Sequence, residues 1–308
     1  MIAKRTLIII NPISGTQNKA FIERLLENHL PENQFNYTIE YTVGPTHATD
    51  LAAAAAKDGF DLVIAVGGDG TINETATGLI GTDTALGIIP VGSGNGLGRH
   101  LRIPMSPSKA IKTFSESEVI KIDVCTANGL PFFNVAGVGY DALVAHKFAQ
   151  MKSRGLSTYI FNVANQWFRY KPKKYKIKTE QGKFKTRALM ISMANGSQFG
   201  NNAWIAPKAR LDDGLIDVCM LTKFNTFAAP TLAYQLFNKT IDRSKYLETF
   251  RSAHFTVKQK SKIAHLDGEP FKLGKKIEFK VLPKALNIFV PKAFLHELHT
   301  EYSLSKFE

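Results

Sequence analysis

The chain has 308 residues, of which 44% are hydrophobic and 21% are charged, a composition typical of globular domains and a length sufficient for two hydrophobic cores. No apolar run reaches the roughly 20 residues of a membrane-spanning helix, and the N-terminal "TLIII" is too short for the apolar region of a signal peptide. The formal net charge of +13 favours a polyanionic partner (nucleic acid, an anionic membrane or a nucleotide), although a basic surface that only keeps the protein in solution fits as well.

The first 120 or so residues alternate between strand and helix patterns. Strands are predicted at residues 7–10, 35–42, 61–66 and 85–91, and helices at 21–30 and 46–59, where Thr46 can cap the start and Gly59 can end the helix. Five alanines serve as filler in the second helix. The last two strands are apolar on both faces, as parallel strands covered by helices are. We therefore predict an α/β domain with a parallel sheet.

Three glycine-bearing turns follow strands of this domain: "NPISG" from residue 11, "GGDGTINE" from residue 67 and "GSGNG" from residue 92. A turn of this kind directs the free N–H groups of a helix start toward an anion. Asp69 lies inside the second turn, where we predict a metal-binding or proton-transfer role. Thr71 and Glu74 have the spacing of a capping box. The turns do not have the P-loop or the dinucleotide-binding pattern.

From about residue 121 the chain consists mainly of short β-rich runs separated by turn residues, which predicts a mostly antiparallel β-sandwich. Among these runs, "KIEFKVL" and "LNIFV" are interpreted as separate strands. Helices are predicted at 155–170, 228–239 and 292–299. Cys125 and Cys219 lie in apolar runs and are predicted to be buried free thiols.

The chain resembles the diacylglycerol kinase catalytic family. The resemblance rests on "NPISG", "GGDGTINE", "GSGNGLGR", "LDDGLIDV" at 211–218 and "LDGEP" at 266–270, in this order over nearly the whole length. It implies a nucleotide-binding domain similar to those of NAD kinase and phosphofructokinase over residues 1–124, to which a tail of residues 290–308 returns. It also implies a lipid-binding β-sandwich over residues 125–289.

By this resemblance ATP with Mg²⁺ is the phosphoryl donor, and the acceptor is the hydroxyl of diacylglycerol or a related lipid. Gly96 stands where the family commonly has Asp, which keeps a sphingoid long-chain base as an alternative acceptor. A kinase of a soluble acceptor such as NAD is a further alternative, but NAD kinases lack the motif set as a group. The third alternative is a basic binding protein without catalysis. The presence of Asp69 and Glu269 disfavours this alternative.

The resemblance also assigns the site residues. Glu269 is the expected general base and Asp69 is essential for nucleotide and metal; the alternative is that Asp69 is the base and Glu269 a positioning residue. A structural magnesium would take main-chain oxygens of Arg210 and Leu215 and the carboxylate of Asp213. The predicted ATP-binding residues are Asn11, Thr42, Gly67, Gly68, Asp69, Gly70, Thr71, Ile72, Asn73, Gly92, Ser93, Gly94 and Asn95.

Asp141, in "GVGYDAL", is a candidate contact for the lipid headgroup, or simply an acid at a helix N-terminus. Lys174, Lys176 and Lys178 share one strand face, which either contacts an anionic membrane or is an ordinary solvated face. We expect a cytoplasmic protein that binds its lipid substrate transiently at a membrane surface and does not bind nucleic acid. The oligomeric state stays open, a homodimer included.

Overall fold

The computed structural model describes residues 3–14, 19–92, 94–149 and 170–296. Its contacts divide the chain into two compact units at the junctions Ile122–Asp123 and Pro283–Lys284, with the segment after Lys284 assigned to the first unit. The sequence predicts these junctions at 124/125 and 289/290.

The first unit contains a parallel sheet in the order β2-β1-β3-β4. Its strands are β1 (Lys4–Ile10), β2 (Phe35–Tyr41), β3 (Leu62–Gly67) and β4 (Ala85–Pro90). Its helices are α1 (Lys19–His29), α2 (His47–Lys57), α3 (Asp69–Leu79), α4 (Gly96–His100) and α5 (Pro107–Thr113), followed by a 3-10 turn at Phe114–Glu116.

Strands β3 and β4 are buried along their whole length, as their patterns predict, whereas every second residue of the edge strand β2 is exposed. Ile8 of β1 lies opposite Ile39 of β2 and Ile64 of β3. One core cluster joins these central strands to Leu26 of α1 and Ile111 of α5. Because all four strands are parallel, their carboxyl ends lie at one edge of the sheet, where open α/β sheets bind ligands.

The predicted caps of α2 are confirmed in position. Thr46 is the N-cap residue, but its backbone is left-handed (φ 67°) and its side chain makes no capping hydrogen bond. At the other end Asp58 is the C-cap and Gly59 follows with φ 75°, the left-handed geometry that ends many helices.

The second unit is built from antiparallel strand pairs, which confirms the predicted β-sandwich class. A long path runs β14-β13-β7-β9-β8-β12-β15, while β10 pairs with β9 and β11, and β5 pairs with β6. The strands are β5 (Glu118–Ala127), β6 (Leu130–Phe132), β7 (Val135–Gly139), β8 (Lys173–Thr179), β9 (Gly182–Ala194), β10 (Ile216–Thr222), β11 (Leu247–Ser252), β12 (His254–Lys258), β13 (Ile263–Leu266), β14 (Glu269–Lys272) and β15 (Lys276–Val290).

Helical segments accompany these strands. They are α6 (Tyr140–Ala149), α7 (Ala229–Phe237) and two 3-10 turns, Thr226–Ala228 and Ile241–Arg243. Residues 292–296 are also helical, in agreement with the described part of the helix predicted at 292–299. The helix predicted at 155–170 lies outside the described residues, except for Tyr170, which is not helical.

The core of the second unit contains large side chains such as Phe132, Tyr175, Phe255 and Phe279. The prediction of separate strands at "KIEFKVL" and "LNIFV" is wrong, because a single strand, β15, runs through both apolar runs. Strand β7 has no counterpart in the sequence prediction, since its two glycines interrupt the alternating pattern.

Both cysteines are buried and free, as predicted. None of the helices in the described ranges has the length and hydropathy that crossing a bilayer requires.

Candidate functional site

The first unit carries the predicted ATP-binding residues at the carboxyl edge of its sheet. Asn11 follows β1, and its main-chain N–H donates to the Val66 carbonyl of β3 (3.1 Å). Its side-chain Nδ2 donates to Thr71 Oγ1 (3.0 Å). A shallow depression here is lined by Asn11, Val66 and Val91. The first two glycine-bearing turns are therefore held together by one asparagine.

The second turn leads directly into α3, and this corrects the predicted capping box. The helix begins at Asp69 with Gly68 as N-cap, and no side chain caps it. Thr71 consequently lies inside the first helical turn, where its hydroxyl accepts from Asn11 instead of closing the helix end. The helix therefore starts earlier than predicted, with Gly68 in the extended backbone geometry (φ −90°, ψ −171°) that N-cap residues ordinarily adopt.

Two main-chain N–H groups at the start of α3 are available to bind a ligand. The first helical hydrogen bond runs from the Ile72 N–H to the Gly68 carbonyl (3.1 Å). The N–H groups of Gly70 and Thr71 precede it and have no acceptor among the described residues. Free N–H groups at the positive end of a helix dipole bind anions, phosphate oxygens among them.

Asp69 connects the second turn to the third. Its Oδ2 accepts from the Asn95 N–H (2.8 Å) and its Oδ1 from the Gly96 N–H (2.9 Å), at the start of α4. Burial raises the pKa of the Asp69 carboxyl, while these amides and the charge of Arg99 oppose the rise. The carboxylate is thus a partly desolvated charge that already positions main chain on the opposite turn.

The two turns approach so closely that only glycine fits between them. A Cβ on Gly92 would come within 2.8 Å of the Gly68 Cα. Asn95, buried and left-handed (φ 50°), ties the third turn by donating from Nδ2 to the Gly92 carbonyl (2.7 Å), and its Oδ1 is buried without a partner among the described residues. The Gly94 carbonyl accepts from Arg99 Nε (2.9 Å).

The other predicted nucleotide-binding residues lie along the same edge. Thr42 is buried after β2 and donates its N–H to the Ile10 carbonyl (3.0 Å). Gly67 ends β3 and accepts from the Val91 N–H (3.0 Å). Ile72 is buried in α3 and Asn73 is half-buried beside it. Ser93 lies outside the described residues. Apart from Ser93, the structure therefore places the predicted set at one edge of one sheet.

In the second unit, the turn between β13 and β14 separates two neighbouring acids. Asp267 and Gly268 form the turn with φ angles of 48° and 88°. The Asp267 carboxylate accepts three main-chain N–H groups, from Phe133 (2.8 Å), Asn134 (2.9 Å) and Val135 (3.0 Å). Glu269 opens β14, is exposed, and has no side-chain partner among the described residues. Asp267 therefore has a structural role, whereas the Glu269 carboxylate is available to a substrate.

A buried histidine lies beneath this turn. His265 Nδ1 accepts from the Gly268 N–H (3.3 Å), which leaves the ring proton on Nε2. Nε2 is 3.4 Å from Asp141 Oδ2, and Ser192 Oγ donates to the same oxygen (3.2 Å). His265 is not among the residues predicted from the sequence, since a single histidine in a strand carries no signal by itself. Its contacts connect the Glu269 turn to the start of α6.

Asp141 lies in the first turn of α6, where its Oδ1 accepts from the Ala142 N–H (2.8 Å). Together with His265 and Ser192, these contacts match the role of a helix N-terminal acid. They use both carboxylate oxygens. The predicted contact with a lipid headgroup stays a prediction.

In the turn predicted to hold a structural magnesium, arginine side chains bind the carboxylates. Asp213 accepts from the Leu215 N–H (3.0 Å) and forms a short ion pair with Arg251. Arg210 binds Asp212 through Nε (3.0 Å) and a terminal nitrogen (2.9 Å). A guanidinium on the Asp213 carboxylate does not fit a divalent cation on the same oxygen. The metal ligands predicted here stay a prediction that these contacts do not favour.

Two further acids support this turn. Asp123 is buried and its Oδ2 accepts from the Gly214 N–H (2.6 Å). Burial raises the pKa of the Asp217 carboxyl against the charge of Arg251, whose Nε lies 3.3 Å from Asp217 Oδ1. Within the described ranges, no three His, Cys, Asp or Glu side chains are grouped as a metal site.

Comparison with known proteins extends over both units. Residues 5–127 match the diacylglycerol kinase catalytic domain, and residues 134–290 match the YegS C-terminal NAD kinase beta sandwich-like domain. The chain is 30% identical to the probable lipid kinase YegS of Escherichia coli O17:K52:H18 (strain UMN026), over 93% of this chain and 96% of that protein. It is 29% identical to the YegS of Salmonella arizonae, over 77% and 80% of the two chains.

A crystal structure of a diacylglycerol kinase from Bacillus anthracis strain Sterne has the same fold. It aligns with a TM-score of 0.74 at 20% identity, covering 94% of this chain and 98% of that one. The fold likeness and the two matched domains agree with the motif order, and they confirm the predicted fold class and the resemblance. The chain belongs to the diacylglycerol kinase catalytic-domain family and is a relative of the probable lipid kinase YegS.

Proposed function

We propose that the protein transfers the γ-phosphoryl group of ATP to the hydroxyl group of a lipid, in a reaction that requires Mg²⁺. The observation that carries the proposal is the difference between the two acids of the "LDGEP" turn. Three main-chain N–H groups donate to the Asp267 carboxylate, and none donates to the carboxylate of Glu269. An exposed carboxylate without a partner among the described residues is suited to accept a proton from a hydroxyl group.

The first unit supplies groups that fit the nucleotide. The N–H groups of Gly70 and Thr71 would hold phosphate oxygens. The Asp69 carboxylate and Asn95 Oδ1, which has no hydrogen-bond partner among the described residues, offer oxygen ligands of the kind that Mg²⁺ prefers. Bound there, Mg²⁺ would neutralise charge on the phosphate oxygens during transfer. We assign Asp69 to nucleotide and metal binding rather than to proton transfer, because its two oxygens already accept main-chain amides.

We assign the proton-accepting role to Glu269. In phosphoryl transfer a positioned carboxylate orients the attacking hydroxyl and takes its proton. The tie from Gly268 to His265 limits the freedom of the turn that presents Glu269. Diacylglycerol or a related lipid is the first expected acceptor and a sphingoid base the second. Gly96 is compatible with either acceptor, since it has no side chain and its main-chain N–H donates to Asp69.

The test is incubation of the full chain with labelled ATP, Mg²⁺ and a panel of micellar lipids, with products identified by mass and NAD as the soluble comparison. We expect ATP consumption to begin only when a lipid is added. Phosphorylation of NAD but of no lipid would contradict the proposal.

The substitution Glu269→Gln tests the assigned base. We expect turnover to fall by about 100- to 10,000-fold, the usual contribution of a general base. The melting temperature should stay that of the wild type, because the exposed Glu269 side chain makes no hydrogen bond or ion pair with a described residue. Glu248→Gln, an exposed acid on β11, is the matched control and should keep the wild-type rate. Near-normal turnover of a folded Glu269→Gln protein would exclude the assignment.

A further inference from the structure

The sequence indicates that β8 presents lysines on one face, and the register of the sheet shows that this face continues across three other strands. Lys174, Lys176 and Lys178 of β8 lie directly opposite Arg187, Lys185 and Lys183 of β9. Directly opposed residues of an antiparallel pair point to the same face. All six side chains are exposed.

The neighbouring strands extend one row of this face. Lys258 of β12 pairs with Lys176 on one side and with Lys276 of β15 on the other. A single row across four strands therefore consists of Lys185, Lys176, Lys258 and Lys276. With about 4.8 Å between strands the row is about 14 Å long.

On this face of the described strands, the cations outnumber the carboxylates. Glu278 is the carboxylate of this face in the described strands, and it pairs with His254 and Lys280. The four lysines of the row make no ion pair with a described residue. Like charges directly opposite each other destabilise a sheet. The row therefore costs free energy that an external anionic surface would recover.

We propose that the outer face of β8, β9, β12 and residues 276–280 of β15 is a docking surface for an anionic lipid bilayer. The choice of lipid rests on the proposed function, since a lipid kinase must reach a substrate held in a membrane. Juxtaposed lysines attract anionic headgroups, each cation strengthening binding by about fivefold.

Two features favour a bilayer over nucleic acid. The four strands carry no Phe, Tyr or Trp on this face: Phe184 and Tyr175 point to the opposite side, where Phe184 packs against Phe250 (5.6 Å between centroids) and Tyr175 is buried. Proteins that bind single strands add aromatic platforms for the bases to their cationic surface. Cations on adjacent sheet strands instead form a broad array suited to a membrane surface.

The test measures binding of the full chain, without ATP, to phosphatidylcholine vesicles and to vesicles that also contain phosphatidylglycerol. The triple variant Lys176→Gln, Lys185→Gln, Lys258→Gln removes three charges of the row. We expect it to bind the anionic vesicles about 100-fold more weakly than the wild type. The control triple Lys57→Gln, Lys109→Gln, Lys112→Gln changes the net charge equally at exposed positions of the first unit and should keep the wild-type affinity.

The melting temperature distinguishes weaker vesicle binding from loss of folding. Because the row variant loses like-charge contacts, its melting temperature at low salt should equal or exceed that of the wild type. Equal binding to both vesicle types, equal loss in both triple variants, or tighter binding of duplex DNA than of the anionic vesicles would each overturn the proposal. Since no catalysis is measured, a failed kinase assay would refute the proposed function and leave the vesicle result intact. An active kinase with no vesicle preference would refute only the docking surface.

Discussion

Asp267 and Glu269 are two carboxylates one glycine apart, and their surroundings give them different tasks. Three convergent amides from residues 133–135 stabilise the charge of Asp267 and fix the turn to the start of β7. The Glu269 side chain is exposed and has no hydrogen-bond or ion-pair partner among the described residues, so solvent or substrate can reach it. Hydrogen bonds from N–H groups to a carboxylate are among the stronger ones in proteins. Of these two neighbouring acids, Asp267 therefore holds the turn, and Glu269 remains the proposed proton acceptor.

The isosteric change Asp267→Asn tests this separation. The new NH₂ group would face a main-chain N–H and leave at least one of the three donors unpaired, which we expect to lower the free energy of unfolding by about 2 kcal/mol. Denaturant unfolding measures it, with Glu269→Gln as the comparison. Equal stability of the two variants would contradict the structural role of Asp267.

Asp69 combines a proposed functional role with a structural one. A carboxylate in a glycine turn predicts metal or proton chemistry, but its two oxygens receive main-chain amides from Asn95 and Gly96. The motif singles out the acid as a candidate functional residue. The amides that it orders, on a turn more than 20 residues later, follow only from the contact between β3 and β4 and the turns that continue them.

At the scale of elements, the alanine-rich helix α2 has a packing role beyond that of helix filler. Ala48, Ala52 and Ala55 are buried. On α3, a Cβ added to Gly78 would come within 2.4 Å of the Thr49 carbonyl oxygen and 2.9 Å of the Ala52 Cβ. The two helices therefore pack with small residues at their contact, and larger side chains would separate them.

This contact predicts different outcomes for neighbouring alanines. Ala52→Leu should destabilise the protein by about 1–3 kcal/mol, the usual cost of overpacking a close contact. Ala54→Leu, on the exposed side of the same helix, should change stability little, because leucine is nearly as good a helix former as alanine. Thermal unfolding of both variants decides; equal melting temperatures would show that α2 and α3 tolerate a wider separation.

At the scale of the whole molecule, the net charge of +13 acts against the compact state. Self-repulsion lowers the stability of a highly charged protein, and salt screens it over about 8 Å at physiological ionic strength. The row Lys185, Lys176, Lys258 and Lys276 concentrates part of this repulsion in one sheet.

We therefore expect the melting temperature to rise when the ionic strength is raised from about 0.01 M to about 0.15 M. The rise should be smaller for the triple variant of the row than for the wild type, because fewer like charges remain close together. Calorimetry in sodium chloride measures both. An unchanged or falling melting temperature would indicate that the repulsion is already compensated within the folded chain.

The amino-acid sequence by itself determined the features that depend on local pattern: the parallel and antiparallel halves, the order of the glycine turns and the acids within them. Periodicity and turn chemistry act between neighbouring residues, so they are legible in a linear chain. Only the tertiary structure decided which acid is held and which is free, and which strands carry lysines opposite lysines. Asp267 and Val135 lie 132 positions apart, and strand register depends on pairing between distant segments, which no local pattern specifies.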